Sequence, residues 1–182
     1  LARGARVVST PGSKADAEAN GSDPTPLEGP ESVTAYRGLA ARGYVSADRP
    51  ELRFAAKEIA RLMQTPTRGN LASLKRLGRF LLARPRLVNA FAFQGEYVAR
   101  RAYPGGREEL DRPAGIYAPV DSNWADCGLT RRSTSGGALQ HGDHVLATWS
   151  VTQAVQALSS GEAEFYALLK GAVEALGLTA LA

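Results

Sequence analysis

The chain has little cysteine and no long apolar run, and each shortage excludes something. A single cysteine, Cys127, rules out an internal disulfide and suits a reducing setting. An intracellular location, cytoplasmic or nuclear, is therefore expected. No apolar stretch approaches the length needed to span a bilayer, and no charged-then-apolar leader opens the chain. A membrane is thus not among the expected partners. Large apolar side chains are also scarce between Val8 and Ser32, where four prolines and three glycines sit among Ser, Thr, Asp and Glu. Such a segment buries too little surface to offset its ordering entropy, so residues 1–32 read as a disordered lead-in or linker. Leu1 is not an initiator Met, and the chain closes on helix-like GAVEALGLTALA, so both ends are expected to continue into a longer protein.

At 182 residues and 44% hydrophobic, the chain can still bury a core. Its net charge of +4 is unevenly placed. Between Arg49 and Arg86 ten basic residues face two acidic ones, a local +8. Such density suits a polyanion such as nucleic acid, but on charge alone a solvated helix face is the simpler reading. Both readings stay open.

Periodicity predicts three helices over residues 33–86. Val33, Tyr36, Leu39 and Ala40 mark the first; Leu52, Ala55, Ile59, Leu62 and Met63 mark the second, which begins at Pro50. Arg53, Lys57 and Arg61 recur every fourth residue on another face of it. Asn70 is the expected cap of the third, with Leu74, Leu77 and Leu81 buried and Lys75, Arg76 and Arg79 wet. Residues 87–182 then read as a sheet with a helix across it. Strands are expected over Leu87–Gln94, Ile116–Val120, Ser133–Gln140 and Val145–Val151, the last two joined at His141-Gly142-Asp143-His144. Pro119 argues for an edge or bulge. Ser159 and Glu162 have capping-box spacing, and Phe165, Leu169, Ala172, Val173 and Leu176 form the predicted core stripe of that helix. Trp124 and Trp149 are expected in the core, and His141 and His144 lack ligand-spaced partners.

Three clusters carry the functional reading: DSNWADC from Asp121, TRRSTSG from Thr130 and LSSGEAEFYAL from Leu158. With Trp149-Ser150 between the last two, their order resembles the ribonuclease H segment of copia-type retrotransposon polyproteins. The resemblance covers roughly residues 115–176. Upstream, Asp48-Arg49-Pro50 and Leu74–Leu81 resemble more weakly the helices that close the reverse transcriptase of the same polyproteins.

The resemblance implies an α/β fold: a helical N-terminal half followed by an incomplete, ribonuclease H-like mixed sheet with one packed helix. It implies that the parent domain hydrolyses the RNA strand of an RNA–DNA hybrid with two Mg²⁺ ions, which take hard oxygen ligands. Carried over by position, Asp121 is the strand carboxylate and Glu164, directly before Phe165, the helix carboxylate; both serve as catalytic residues and metal ligands. Arg53, Lys57, Arg61, Lys75, Arg76, Arg79, Arg131 and Arg132 are the nucleic-acid candidates. The expected partners are an RNA–DNA hybrid or other nucleic acid and the rest of the polyprotein.

The sequence also departs from the pattern. Asn123 stands where a second Asp is usual, and Ala154-Val155-Gln156 replaces a proline-containing stretch. The family's next aspartate falls on a strand beyond the helix, and Asp111, Asp126 and Asp143 do not match its position. The chain as given is therefore expected to cleave hybrids negligibly. The alternative is a non-catalytic remnant of a transposon that still binds nucleic acid.

Overall fold

Gly29, at φ +84°, turns the chain into the first helix, α1, Pro30–Tyr44. This computed structural model describes residues 6–13, 23–44, 49–91, 115–142 and 144–181. A single 3₁₀ turn, Pro50–Leu52, leads into α2, Arg53–Arg61, and α3 follows over Arg68–Ala83. The cap of α3 is Thr67 rather than the expected Asn70. The Thr67 hydroxyl accepts the Asn70 backbone N–H at 3.2 Å, and the Asn70 side-chain Oδ1 accepts the Thr67 N–H at 2.8 Å. Arg84-Pro85 ends the helix, because a residue before proline is turned away from the helical conformation.

These three helices enclose one core, in which Tyr36, Ala40, Leu52, Ile59, Leu77 and Phe80 are buried. Leu81 packs only partly against it, and Phe80 takes the central place instead. The end of α2 needs outside help because its last carbonyls have no helical partners. The Tyr36 hydroxyl donates to the Ile59 carbonyl at 2.9 Å, and the Arg37 guanidinium donates to Met63 and Gln64 carbonyls at 2.8 and 2.9 Å.

Burial pushes the Tyr36 phenol up to about 12. The unfolded chain therefore loses this proton first. Stability should be complete below about pH 10 and fall as pH rises toward about 12. Urea melts across that range should show the loss. A Tyr36→Phe chain should lack the Tyr36 contribution, at a cost of about 1 kcal/mol at neutral pH from the lost hydrogen bond. An unchanged alkaline limb in Tyr36→Phe contradicts this.

The expected lead-in is partly built into this module. Pro26 bridges to Thr67, the Leu27 N–H donates to Pro66, and the Arg68 and Gly69 amides donate to Thr25 and Asp23 carbonyls. The reason is local: those donors at the start of α3 need acceptors, and the polar lead-in supplies them. Residues 14–22 lie outside the described residues.

The sheet comes next, through β1 Ile116–Tyr117, β2 Val120–Asn123, β3 Thr134–His141 and β4 His144–Thr152. Both β1 and β2 pair antiparallel with β3 in one continuous register, Ile116 with His141 and Asn123 with Thr134. They are one strand interrupted at Ala118-Pro119. Pro119 accepts the Ala138 N–H at 3.0 Å but has no N–H to return. The strand expected at Ile116–Val120 therefore continues to Asn123. The β3–β4 hairpin turns at Gly142, φ +55°, and shifts register beside Leu139, which leaves Leu146 as an extra residue. Every described pairing is antiparallel, so the expected mixed sheet is antiparallel over these residues. Leu87–Phe91 form no strand, and 92–94 lie outside the described residues.

Helix α4, Ser160–Thr179, crosses the sheet. Its predicted stripe is not the buried one. Ala163, Ala167 and Gly171 face the sheet, while Phe165, Leu169, Val173 and Leu176 are 52–70% exposed. The cause is close approach. A Cβ at Gly171 would lie 2.5 Å from Val120 Cγ1, so only small residues fit under the helix. The same economy of space occurs within the sheet, where a Cβ on Gly137 would meet the Trp149 ring at 2.2 Å. Among the described residues no helix is long and apolar enough to cross a membrane.

Candidate functional site

The placement of the implied site residues follows from the two faces of the sheet. Successive strand residues point to opposite faces. Val120 packs on Gly171 of α4, and the Ser122 hydroxyl donates to Glu164 at 2.9 Å. Residues 120 and 122 therefore face α4. Asp121, between them, faces away and lines a cleft of about 350 Å³ with Arg53, Phe54 and Thr134. The partners across the strands agree: Ser135, on the α4 side, is tied to Gln153 and through it to the Ala163 carbonyl at 2.9 and 2.8 Å. Thr134, on the other side, accepts Lys57 of α2 at 2.8 Å. Asp121 and Glu164 thus lie on different faces of one sheet and are not brought together.

The start of α4 is built by a cap. The Ser159 hydroxyl accepts the Glu162 N–H at 3.1 Å, and Glu162 reaches back to the Leu158 N–H at 2.8 Å, one residue before the expected one. Glu162 also accepts the Tyr166 hydroxyl at 3.2 Å. This leaves Glu164 exposed, with Ser122 as its hydrogen-bond donor.

The Mg²⁺ that the resemblance implies needs converging oxygen donors. Among the described residues no group of three or more His, Cys, Asp or Glu is placed to hold a metal. The two carboxylates assigned by position are divided by the sheet. Among the described residues, no set fits that ion pair.

The basic residues separate into two sets. On α2, Lys57 and Arg61 turn inward, which corrects the expectation of an open basic stripe there. Glu58, 4% exposed, draws them both: Lys57 approaches at 2.7 Å and the Arg61 guanidinium at 2.6 and 2.9 Å. Lys57 also lies 5.0 Å from the centre of the Phe54 ring. Arg53 lines the cleft beside Asp121. On α3, helical spacing puts Arg68, Lys75 and Arg79 on one stripe with Arg76 beside it. Arg68 and Lys75 are exposed, Arg76 and Arg79 half-buried, and Arg76 donates to the Thr10 hydroxyl at 2.7 Å. Arg131 and Arg132 are exposed in the loop between β2 and β3, with Arg131 at φ +55°.

That loop holds the residues that sequence reasoning passed over. Cys127 is buried, and Arg61 donates to its sulfur at 2.9 Å. Burial pushes the thiol up, but the Thr130 hydroxyl and amide, the Leu129 amide and Arg61 outweigh it and hold the thiol below its ordinary range. Next to it, burial pushes the Asp126 carboxyl up, against the pull of Lys57. No spacing signal could have found this cluster, because Arg61 and Cys127 are 66 positions apart. Trp124 departs from its expected core position as well. It is 48% exposed and donates its indole N–H to the Ala157 carbonyl at 3.2 Å, and it lines a second cleft, of about 770 Å³, with Phe54 and Asn123.

Comparison with known proteins finds a relative in Arabidopsis thaliana, an uncharacterized mitochondrial protein, 28% identical over 136 residues. The match takes in 75% of this chain and 50% of the relative, so the chain spans about half the length of the curated protein it matches. No family model matches, and no solved structure matches. The likeness brings no activity with it, since that relative is itself uncharacterized.

Proposed function

We propose that this chain is a retrotransposon-derived fragment, reaching from the closing helices of a reverse transcriptase into the opening of a ribonuclease H-like domain. Its own activity in this reading is nucleic-acid binding without cleavage. The hybrid-cleaving chemistry belongs to the complete parent domain. The observation that carries the reading is the ordered motif series, DSNWADC, TRRSTSG and LSSGEAEFYAL, set on a strand, the strand that pairs with it and the helix packed across both. The basic stripe of α3 supports the binding role, since Arg68 and Lys75 are open to a polyanion.

Anisotropy of a labelled RNA–DNA hybrid, with the full chain and Mg²⁺ present, tests this. Three or four phosphate contacts predict a loss of affinity of roughly 50-fold between 50 and 200 mM salt through counterion release. Lys75→Gln and Arg79→Gln should each reduce the salt slope by about 1. Lys57→Gln should leave it unchanged, because that ammonium is held by Glu58. The RNA strand should remain intact on a gel. Affinity that is flat with salt defeats the binding role, and chelator-sensitive loss of RNA defeats the non-cleaving one.

A further inference from the structure

We infer that this chain assembles no shared metal site from Asp121 and Glu164, because β2 turns Ser122 rather than Asp121 toward α4. The inference stands whether or not the chain binds nucleic acid. It rests on strand parity. A one-residue change of register would exchange the two faces, and three features hold the register as it is. Pro119 breaks the strand at a fixed place, and its carbonyl still accepts Ala138. Gly137, paired with Val120, leaves room for the Trp149 ring, which larger residues would displace. Gly171 lets α4 settle against Val120, so Val120 cannot turn away without opening a gap under the helix.

The consequence for Glu164 is a neutral neighbour. Its carboxylate takes a hydroxyl hydrogen bond from Ser122 at 2.9 Å. One carboxylate and one hydroxyl lack the charge that draws a divalent cation out of water. Asp121 meets a different environment, a cleft it shares with the cationic Arg53. Glu51 lines the same cleft but is held by Arg49 at 2.6 Å.

Paramagnetic broadening by Mn²⁺, followed by NMR on the full chain, separates the two arrangements. The expected result is that the β2 and α4 signals respond independently, or not at all. Asp121→Asn should then leave broadening around Glu164 unchanged, and Glu164→Gln should leave that around Asp121 unchanged. Ser122→Asp puts a second carboxylate on the side of Glu164 and should tighten Mn²⁺ there by roughly tenfold. Circular dichroism confirms that each variant is folded. Joint broadening with one midpoint, erased by either Asp121→Asn or Glu164→Gln, overturns the inference. So does a folded Ser122→Asp chain that binds Mn²⁺ no more tightly than the wild type.

Discussion

Replacing Glu58 by Ala should cost about 3 kcal/mol of stability, a large share of what a domain of this size possesses. Glu58 is 4% exposed and holds both Lys57 and Arg61, whose side chains are only 14% and 20% exposed. Truncating it leaves two cations that are mostly out of water with no counter-charge. The loss also reaches the sheet, because the same side chains extend beyond α2. Lys57 donates to Thr134 at 2.8 Å and Arg61 to Cys127 at 2.9 Å. Glu58 therefore organises the contact between the helices and the sheet face opposite α4. Glu58→Gln keeps an acceptor but no charge and should fall between the wild type and Glu58→Ala. Urea unfolding of the three chains measures this. A loss below about 1 kcal/mol for Glu58→Ala would mean that the cluster behaves as a solvated surface pair.

Phe80→Ala should be as damaging, at about 3–5 kcal/mol. Phe80 is 1% exposed and sits among Tyr36, Leu52, Ile59 and Leu77, so its removal forfeits both transfer energy and packing. Both tryptophans, Trp124 and Trp149, lie in the sheet half. Tryptophan fluorescence therefore reports whether damage in the helices is felt there. If the Glu58 cluster binds the halves into one cooperative unit, fluorescence and far-UV circular dichroism should show the same midpoint for Phe80→Ala. A fluorescence midpoint that stays at the wild-type value while the helical signal falls would separate the halves. Leu169→Ser on the outer face of α4 is the contrast. That residue is 52% exposed, and the change should cost less than about 0.5 kcal/mol.

The sequence by itself was enough for the helices and the β3–β4 hairpin, though not for the strand expected from Leu87, which does not form over Leu87–Phe91. Helical periodicity located α1, α2 and α3 to within a few residues, because each buries apolar side chains at regular spacing: Tyr36 and Ala40, Ala55 and Ile59, Leu74 and Leu77. The β3–β4 hairpin was legible from alternation and its Gly142 turn, and the start of α4 from Ser159 and Glu162. Pro119 was legible as a break because its missing N–H acts locally. The motif series that carries the functional reading is likewise a property of the chain alone.

Tertiary structure decided which way those elements face. Large apolar residues on α4 pointed to a core stripe at Phe165, Leu169 and Val173, yet the sheet surface admits the helix only through Ala163, Ala167 and Gly171. Depth of packing, set by Val120 beneath Gly171, overrode side-chain size. Lys57 and Arg61 read as part of a nucleic-acid face until the sheet and Glu58 enclosed them, since burial of a charge depends on a partner, near or distant in sequence. The same holds for Asp121 and Glu164. Their residue types follow the motif, but whether two carboxylates meet depends on strand parity and on the face a helix covers. Here Ser122 rather than Asp121 reaches Glu164, because Val120 and Ser122 share the face that α4 occupies.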